Sequence, residues 1–204
     1  MKLKAISVGR VAPLVNAGQG AERRVHSAIH KLTVSSLSQP KFVFVGRMGL
    51  EGDEQHEKPL HGGVEQAVYA YPVEHIDFWS DLLLRAKKSK PLLSHAALGE
   101  NLSIEGCLES QVFVGDRWSM GEAQLEVTKL REPCFKLNVK LNYSGAAKAM
   151  RQSGKSGWYL KVIKEGLICA GQSITVVRGP GKVSIEDQNR RLYSLNHPTL
   201  DLFE

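Results

Sequence analysis

Short runs of alternating apolar and polar residues open the chain. "KLKAISVGRV" (Lys2–Val11), "SAIHKLTV" (Ser27–Val34) and "KFVFVGRM" (Lys41–Met48) are rich in Val, Ile and Phe and punctuated by Gly or Ser, the pattern of strands. "QAVYAY" (Gln66–Tyr71) predicts another strand. At Pro72 the period changes. Val73, Ile76, Trp79 and Leu83 recur at three and four residues and make one apolar helical face. Glu74 and Asp77 in its first turns, and Arg85, Lys87 and Lys88 at its end, complement the helix dipole. "QVFVGDRWSM" and "AQLEVTKL" predict a hairpin turning near Met120-Gly121-Glu122. In its second strand Leu125 and Val127 face one way and Gln124, Glu126 and Thr128 the other. "SGAAKAMRQSG" predicts a short helix from Ser144 to about Gln152, closed by Gly154. "GWYLKVI" and "QSITVV" add two strands. Strands outnumber helices and mostly follow one another directly. The pattern favours a mainly β barrel or sandwich over a βαβ fold.

"RGPGK" (Arg178–Lys182) reads as a linker, dividing the chain into a β-barrel domain, residues 1–178, and a short C-terminal helical tail, residues 179–204. In that tail Ser184, with Asp187 three residues on, resembles a capping box and starts a helix over roughly Ile185 to Leu192. Few of its residues are apolar, which predicts a peripheral helix and a loosely held "NHPTLDLFE" end.

Composition narrows the function only slightly. The 204 residues are 42% hydrophobic and 24% charged, as in an ordinary globular protein, with a net charge of +6. That excess suits an anionic ligand such as a phosphate ester. A nucleic-acid surface has the same sign, but the basic residues are scattered. The one tight cluster, "RAKKSK" (Arg85–Lys90), reads as a solvated helix end, so no nucleic-acid partner is expected. The N-terminus lacks the apolar run and small-residue cleavage site of a signal peptide, and no apolar segment approaches the roughly 18 residues that span a bilayer. A cytoplasmic protein is the expectation. Cys107, Cys134 and Cys169 are odd in number and form no C-x-x-C pair, which argues against a disulfide framework and a four-thiolate metal site.

Three polar, glycine-rich stretches carry the candidate chemistry. The first, "GLEGDEQHEKPLHGGVEQAVYAYP" (Gly49–Pro72), crowds Asp53, Gln55, His56, Glu57 and His61 before a buried-looking strand. It reads either as a pocket lip or as a solvated connection. His56, His61, Asp53 and Glu57 supply metal-ligating atoms. Their spacing is not the helical H-E-x-x-H pattern, though, and Pro59 interrupts any helix, so a pocket wall is expected rather than a zinc-hydrolase site. The second, "LGENLSIEG", places Glu100 and Asn101 between a glycine and a strand; it reads as a turn or as hydrogen-bonding groups for a heterocycle edge. The third, "RQSGKSGW" (Arg151–Trp158), contains Ser153 and Gly154. It is not a P-loop, because Ala149 stands where the first glycine is required, and a helix-ending turn accounts for it. "KLREPCFKL" (Lys129–Leu137) is different. Pro133 cannot continue a ladder on both sides, so Cys134 falls at a strand end, where pockets form. Arg131 and Lys136 favour its thiolate if they are close in space. The competing reading is a small buried hydrophobe, a role that Cys107 and Cys169 suit better.

Together, "GLEGDEQHEKPLHGG", "YPVEHIDFW", "LGENLS", "VGDRW", "REPCFKLN" and "SGKSGWY" resemble the MOSC domain family and its YiiM-like subgroup, in order and as far as about Val177. The resemblance implies a mainly β, MOSC-type β-barrel with a few peripheral helices, and binding of the molybdenum cofactor, a pterin dithiolene bearing a phosphate. The family also carries a label of pyridoxal phosphate binding. The resemblance maps the family's characteristic cysteine, a sulfur carrier or molybdenum ligand, onto Cys134. It marks Lys31, with Arg131, as the phosphate grip. Gln55, Glu100, Asn101, Ser153 and Gly154 become candidate cofactor contacts, and His61 and Asp53 candidate proton donors. YiiM-like members are associated with reduction of N-hydroxylated compounds, including purine bases. Two functions stay open: a molybdenum-dependent reductase, or a non-catalytic carrier of the cofactor or its sulfur. A reductase needs electrons. The chain shows no G-x-G-x-x-G between a strand and a helix and has too few cysteines for a four-thiolate cluster, so a separate flavoprotein or iron–sulfur carrier is the expected partner. Close relatives carry a C-terminal helical bundle where this chain has one expected helix.

Overall fold

The computed structural model describes residues 1–14, 25–56, 62–87 and 92–196. In chain order the strands and helices are β1 (Lys2–Val8), β2 (Ala12–Leu14), β3 (Val25–Ser27), β4 (Leu32–Ser36), β5 (Phe42–Gly46), β6 (Gly49–Leu50), β7 (Val68–Pro72), α1 (Ile76–Lys87), β8 (Leu102–Glu105), β9 (Arg117–Met120), β10 (Ala123–Leu130), α2 (Phe135–Lys140), α3 (Ala146–Ser153), β11 (Trp158–Lys164), β12 (Gly166–Cys169), β13 (Thr175–Val177) and α4 (Ile185–Asn196). Eight strands form one sheet in the order β13-β9-β10-β11-β7-β8-β1-β4, curled into a half-barrel. A three-stranded sheet, β12-β5-β6, adds Val43, Val45, Leu50 and Ile168 to the apolar core that the large sheet faces. The mainly β barrel-like expectation therefore holds.

Strand β7 divides the interior. All five of its residues are buried. Val68 and Ala70 face the barrel core, while Tyr69 and Tyr71 point the other way, into a second core with Trp79 and Leu83 of α1, Leu98, Leu137 of α2 and Met150 of α3. Strict alternation with both faces covered explains an apolar run that continues without polar gaps. The α1 stripe reads as the sequence predicts, with Trp79, Ser80 and Leu83 buried; Trp79 Nε1 donates to Tyr71 Oη at 2.6 Å, so the indole is not left unpaired.

In β10, Ala123, Leu125 and Val127 point inward, and Met120 pairs with Ala123 across the expected hairpin turn. A register shift between Val127 and Lys129 then changes the phase, so that Leu130 also points inward. The "SAIHKLTV" run differs from expectation. It is two strands, β3 and β4, broken at 28–31. The cause lies at Gly9: a Cβ there would sit 2.7 Å from both Ala28 O and His30 O, so this segment crosses directly over the Gly9 backbone instead of pairing. Among the described residues β2, β6, β12 and α2 are elements that the sequence pattern did not announce.

The C-terminal helix also differs. Ser184 and Asp187 cap it as expected, with Asp187 N–H donating to Ser184 Oγ at 3.0 Å and Ser184 N–H to Asp187 Oδ2 at 3.2 Å. But α4 is longer than predicted, and its first turn is not peripheral. Ile185 is fully buried in the barrel core, and Gln188 Oε1 accepts the Leu130 N–H at 2.8 Å.

Candidate active site

Several chain segments meet at one end of the half-barrel and enclose a cleft of about 120 Å³. Its walls are the Ser27–Lys31 crossing, the loop after β6, Tyr69 of β7, the Gly99–Asn101 turn, Tyr159 of β11 and the "REPCFK" segment. The β10 ladder ends at Leu130, and Arg131 N–H still bonds Gly157 O at 3.2 Å. Pro133 then ends pairing, and Cys134 adopts extended backbone as the N-cap residue of α2, its carbonyl accepting the Leu137 N–H at 3.0 Å. Cys134 lines the cleft and is partly exposed, whereas Cys107 and Cys169 are buried. Burial raises the Cys107 thiol to about 11, which makes it an inert core residue.

Cations surround Cys134. Arg131 is 6% exposed; its guanidinium lies 5.3 Å over the Tyr69 ring, donates to Met150 Sδ at 3.2 Å and hydrogen-bonds Tyr159. Burial opposes its charge, but Tyr69, Tyr159 and Cys134 outweigh that opposition and hold it protonated. Lys136, one helical turn before Lys140, is buried and lines the same cleft. Lys140 is lowered to about 8, first by burial; the pull of Glu100 opposes that, and repulsion from Lys31 and then Arg131 adds to it. The cleft lining holds both signs: Lys31, Arg131 and Lys136 against Asp53, Glu54 and Glu132, with Asp53 already paired to Lys31.

Lys31 is fixed by a buried ion pair with Asp53 Oδ1, their side chains being 7% and 6% exposed. Burial lowers the Lys31 ammonium and Asp53 partly restores it. Asp53 is itself held by three donors: Lys31, the Gly9 N–H at 2.7 Å and Asn101 Nδ2 at 2.9 Å. Asn101 also accepts the Tyr69 N–H at 3.0 Å and donates to Ser7 O at 3.2 Å, tying β1, β7 and β8 together beneath the site.

Of the residues singled out by sequence, Cys134, Asp53, Lys31, Arg131, Gln55 and Asn101 converge on this cleft. Gln55 spends its amide on Met48 O at 2.9 Å and Gly63 N–H at 2.8 Å, which folds its own loop. Glu100 is 1% exposed and does not line the cleft. Its carboxylate accepts the Ala96 and Leu98 N–H groups at 2.7 and 3.0 Å and the Ser103 hydroxyl at 3.0 Å. Ser153 and Gly154 line a different cleft. His61 and Glu57 lie outside the described residues. Among the described residues no three His, Cys, Asp or Glu side chains form a metal-ligating group, and no helix is long and apolar enough to cross a membrane. His56 lines the cleft, as the expected pocket wall; sequence reasoning missed Tyr69, Tyr159 and Gln66 in the lining and Lys140 near Lys31 and Arg131. The Lys136/Lys140 spacing of four was the available signal, but it is legible only once residues 135–140 are known to be helical.

The MOSC domain model matches residues 57–175. Protein YiiM of Escherichia coli (strain K12) is 37% identical over 161 residues, covering 79% of this chain and 68% of that protein. A protein of Gibberella moniliformis named "Reductase" is 36% identical over 141 residues; the match takes in 68% of this chain but only 24% of that much longer protein. The crystal structure of YiiM from Geobacillus stearothermophilus superposes with a TM-score of 0.71 at 30% identity, over 96% of this chain and 85% of the other. The matching domain model and these relatives, on a fold that sets a partly exposed thiol in a cleft with Arg131 and Lys136, place the chain in the MOSC-domain family as a YiiM-like member.

Proposed function

We propose that the protein binds the molybdenum cofactor in this cleft and reduces N-hydroxylated compounds, including N-hydroxylated purine bases, with Cys134 as the molybdenum ligand. The observation that carries the reading is the partly exposed Cys134 in one cleft with the buried cations Arg131, Lys31 and Lys136. That donor set fits the group: one soft thiolate for a metal–sulfur centre, and several cations for its phosphate. When bound, the cofactor supplies the two-electron chemistry at molybdenum.

The chain's own residues then have separable tasks. Lys31 and Arg131 grip the phosphate. Asp53, with all three of its hydrogen bonds inside the protein, positions Lys31. Tyr69 and Tyr159 hold Arg131 beside the thiol. His56, which also lines the cleft, is a candidate proton donor alongside His61. The reaction takes two electrons and two protons, converting an N–OH group to N–H and water. With Cys107 and Cys169 buried singly and Cys134 assigned, the electrons come from a separate redox protein docked at the cleft mouth.

The test is elemental analysis and turnover of protein made in a cofactor-competent host. Cys134→Ser should lose bound molybdenum or activity while Cys107→Ser and Cys169→Ser keep both. Turnover should appear with dithionite or an added electron-transfer protein and not with NADH alone. Full activity in Cys134→Ser sinks the assignment. Molybdenum retained through Cys134 without turnover under any reductant favours the carrier function.

A further inference from the structure

The Ser153–Lys155 turn belongs to a second cleft, of about 280 Å³, which shares no lining residue with the first. It lies between the end of α3, closed by Gly154 in the left-handed region, and the first turns of α4. Two carboxylates line it and both are already committed. Glu109, 5% exposed, accepts the Gly157 N–H at 2.8 Å and pairs with His75 Nε2 at 2.8 Å. Glu186 pairs with Arg190 at 3.2 Å.

Two cations have no such match. The Lys155 ammonium meets His75 Nδ1 at 3.4 Å and the Phe78 ring face at 5.5 Å, and has no carboxylate partner among the described residues. Among the described residues the Arg151 guanidinium reaches only Pro133 O, at 3.5 Å, and its Nε is buried with no partner. Asn189 lines the same cleft and is 6% exposed. Its Nδ2 donates to Arg151 O at 2.9 Å, which leaves Oδ1 buried and unpartnered. Two cations lining one cleft without a carboxylate match among the described residues point to an anionic ligand between them.

We propose that this cleft is a binding site for a phosphoryl group, gripped between Lys155 and Arg151. The charge count selects a ligand of up to two negative charges. A phosphate near neutral pH can carry that second charge, which a single carboxylate such as acetate lacks. The His75–Glu109 pair holds Lys155 in place: with Nε2–H donating to Glu109, Nδ1 accepts from the ammonium.

The experiment is calorimetric titration of inorganic phosphate into the full chain carrying Lys31→Ala, which removes one of the two phosphate contacts proposed for the first cleft. One phosphate should still bind. Lys155→Gln or Arg151→Gln, each added to that chain, should weaken it about 10- to 100-fold, the loss of one charge-assisted contact. Arg151→Lys should keep most of it. Lys155 is partly exposed, so its replacement leaves a folded protein even if an Arg151 variant does not. Acetate at equal ionic strength should bind at least tenfold more weakly. Glycerol phosphate binding beside inorganic phosphate assigns the site to esters; inorganic phosphate alone assigns it to the free ion. No phosphate in the Lys31→Ala chain, phosphate indifferent to both glutamine variants, or acetate binding equally well overturns the proposal.

Discussion

Asp53→Asn is the sharpest single test of how the site is built. The change keeps shape and an acceptor for the Gly9 N–H, but removes the charge that faces Lys31. Both side chains are under 10% exposed, so water cannot take over. Removing one partner of a buried pair costs about 3–5 kcal/mol, because the other charge stays buried and uncompensated. The reverse change, Lys31→Met, leaves Asp53 with two N–H donors at 2.7 and 2.9 Å and should cost nearer 1.5–3 kcal/mol. The double variant should then cost less than the sum of the singles, since neither charge is stranded. For a chain of this size about 3–5 kcal/mol corresponds to a Tm lowered by roughly 6–20 °C.

The pH dependence has a definite sign. Burial already lowers Lys31, and without Asp53 it falls further. Between that lowered value and the ordinary lysine range the unfolded chain binds more protons than the folded one, so stability rises with pH. The deficit of Asp53→Asn is therefore full at neutral pH and shrinks under alkaline conditions. Urea unfolding at neutral and alkaline pH, with the m-value checked for constancy, measures it. A loss under about 1 kcal/mol, a larger loss for Lys31→Met, or a deficit that grows with pH would refute the buried-pair account.

Two further outcomes follow from the packing and charge. Lys140, held at about 8, loses its proton before an unfolded lysine does, so it adds stability as pH rises through 8 toward the ordinary lysine range; Lys140→Met should flatten that part of the pH–stability profile, read by thermal melts. Ile185→Ala removes a fully buried side chain from the barrel core and should cost about 2–5 kcal/mol in urea unfolding, whereas loss near zero would restore α4 to a peripheral role.

The alternating run Ala123–Val127 of β10 and the stripe of α1 were legible because a single face-to-core pattern dictates them. What escaped was decided by tertiary contact. Residues 28–31 have strand-like composition, yet Gly9 lets them cross over another segment instead of pairing. Helix α2 follows a proline that reads as a terminator and starts at a cysteine, which gives no cap signal. Ile185 is one apolar residue in a polar helix, and nothing local shows that it is the one that docks. The site was legible in its chemistry, Cys134 with Arg131 and Lys136, but not in its assignments. Glu100 and Gln55 resemble ligand-binding groups in sequence, and they spend their hydrogen bonds on their own loops. Ser153 and Gly154 belong to another cleft because α3 carries them away from Cys134.

The way β7 is paired bears on the order of assembly. Its partner on one side is β8, in parallel, across a crossover that includes α1; its partner on the other is β11, some ninety residues later in the chain. Asn101 then ties β7 and β8 to β1 near the N-terminus. None of these closures is local, and the entropy of each must be met before its contacts form, which is the signature of slow folding. The cleft draws its walls from all of these segments, so it has no half-made version on a partly folded chain. A ligand that fits it acts only on the finished protein: it slows the route out of the native state and does nothing for the route in.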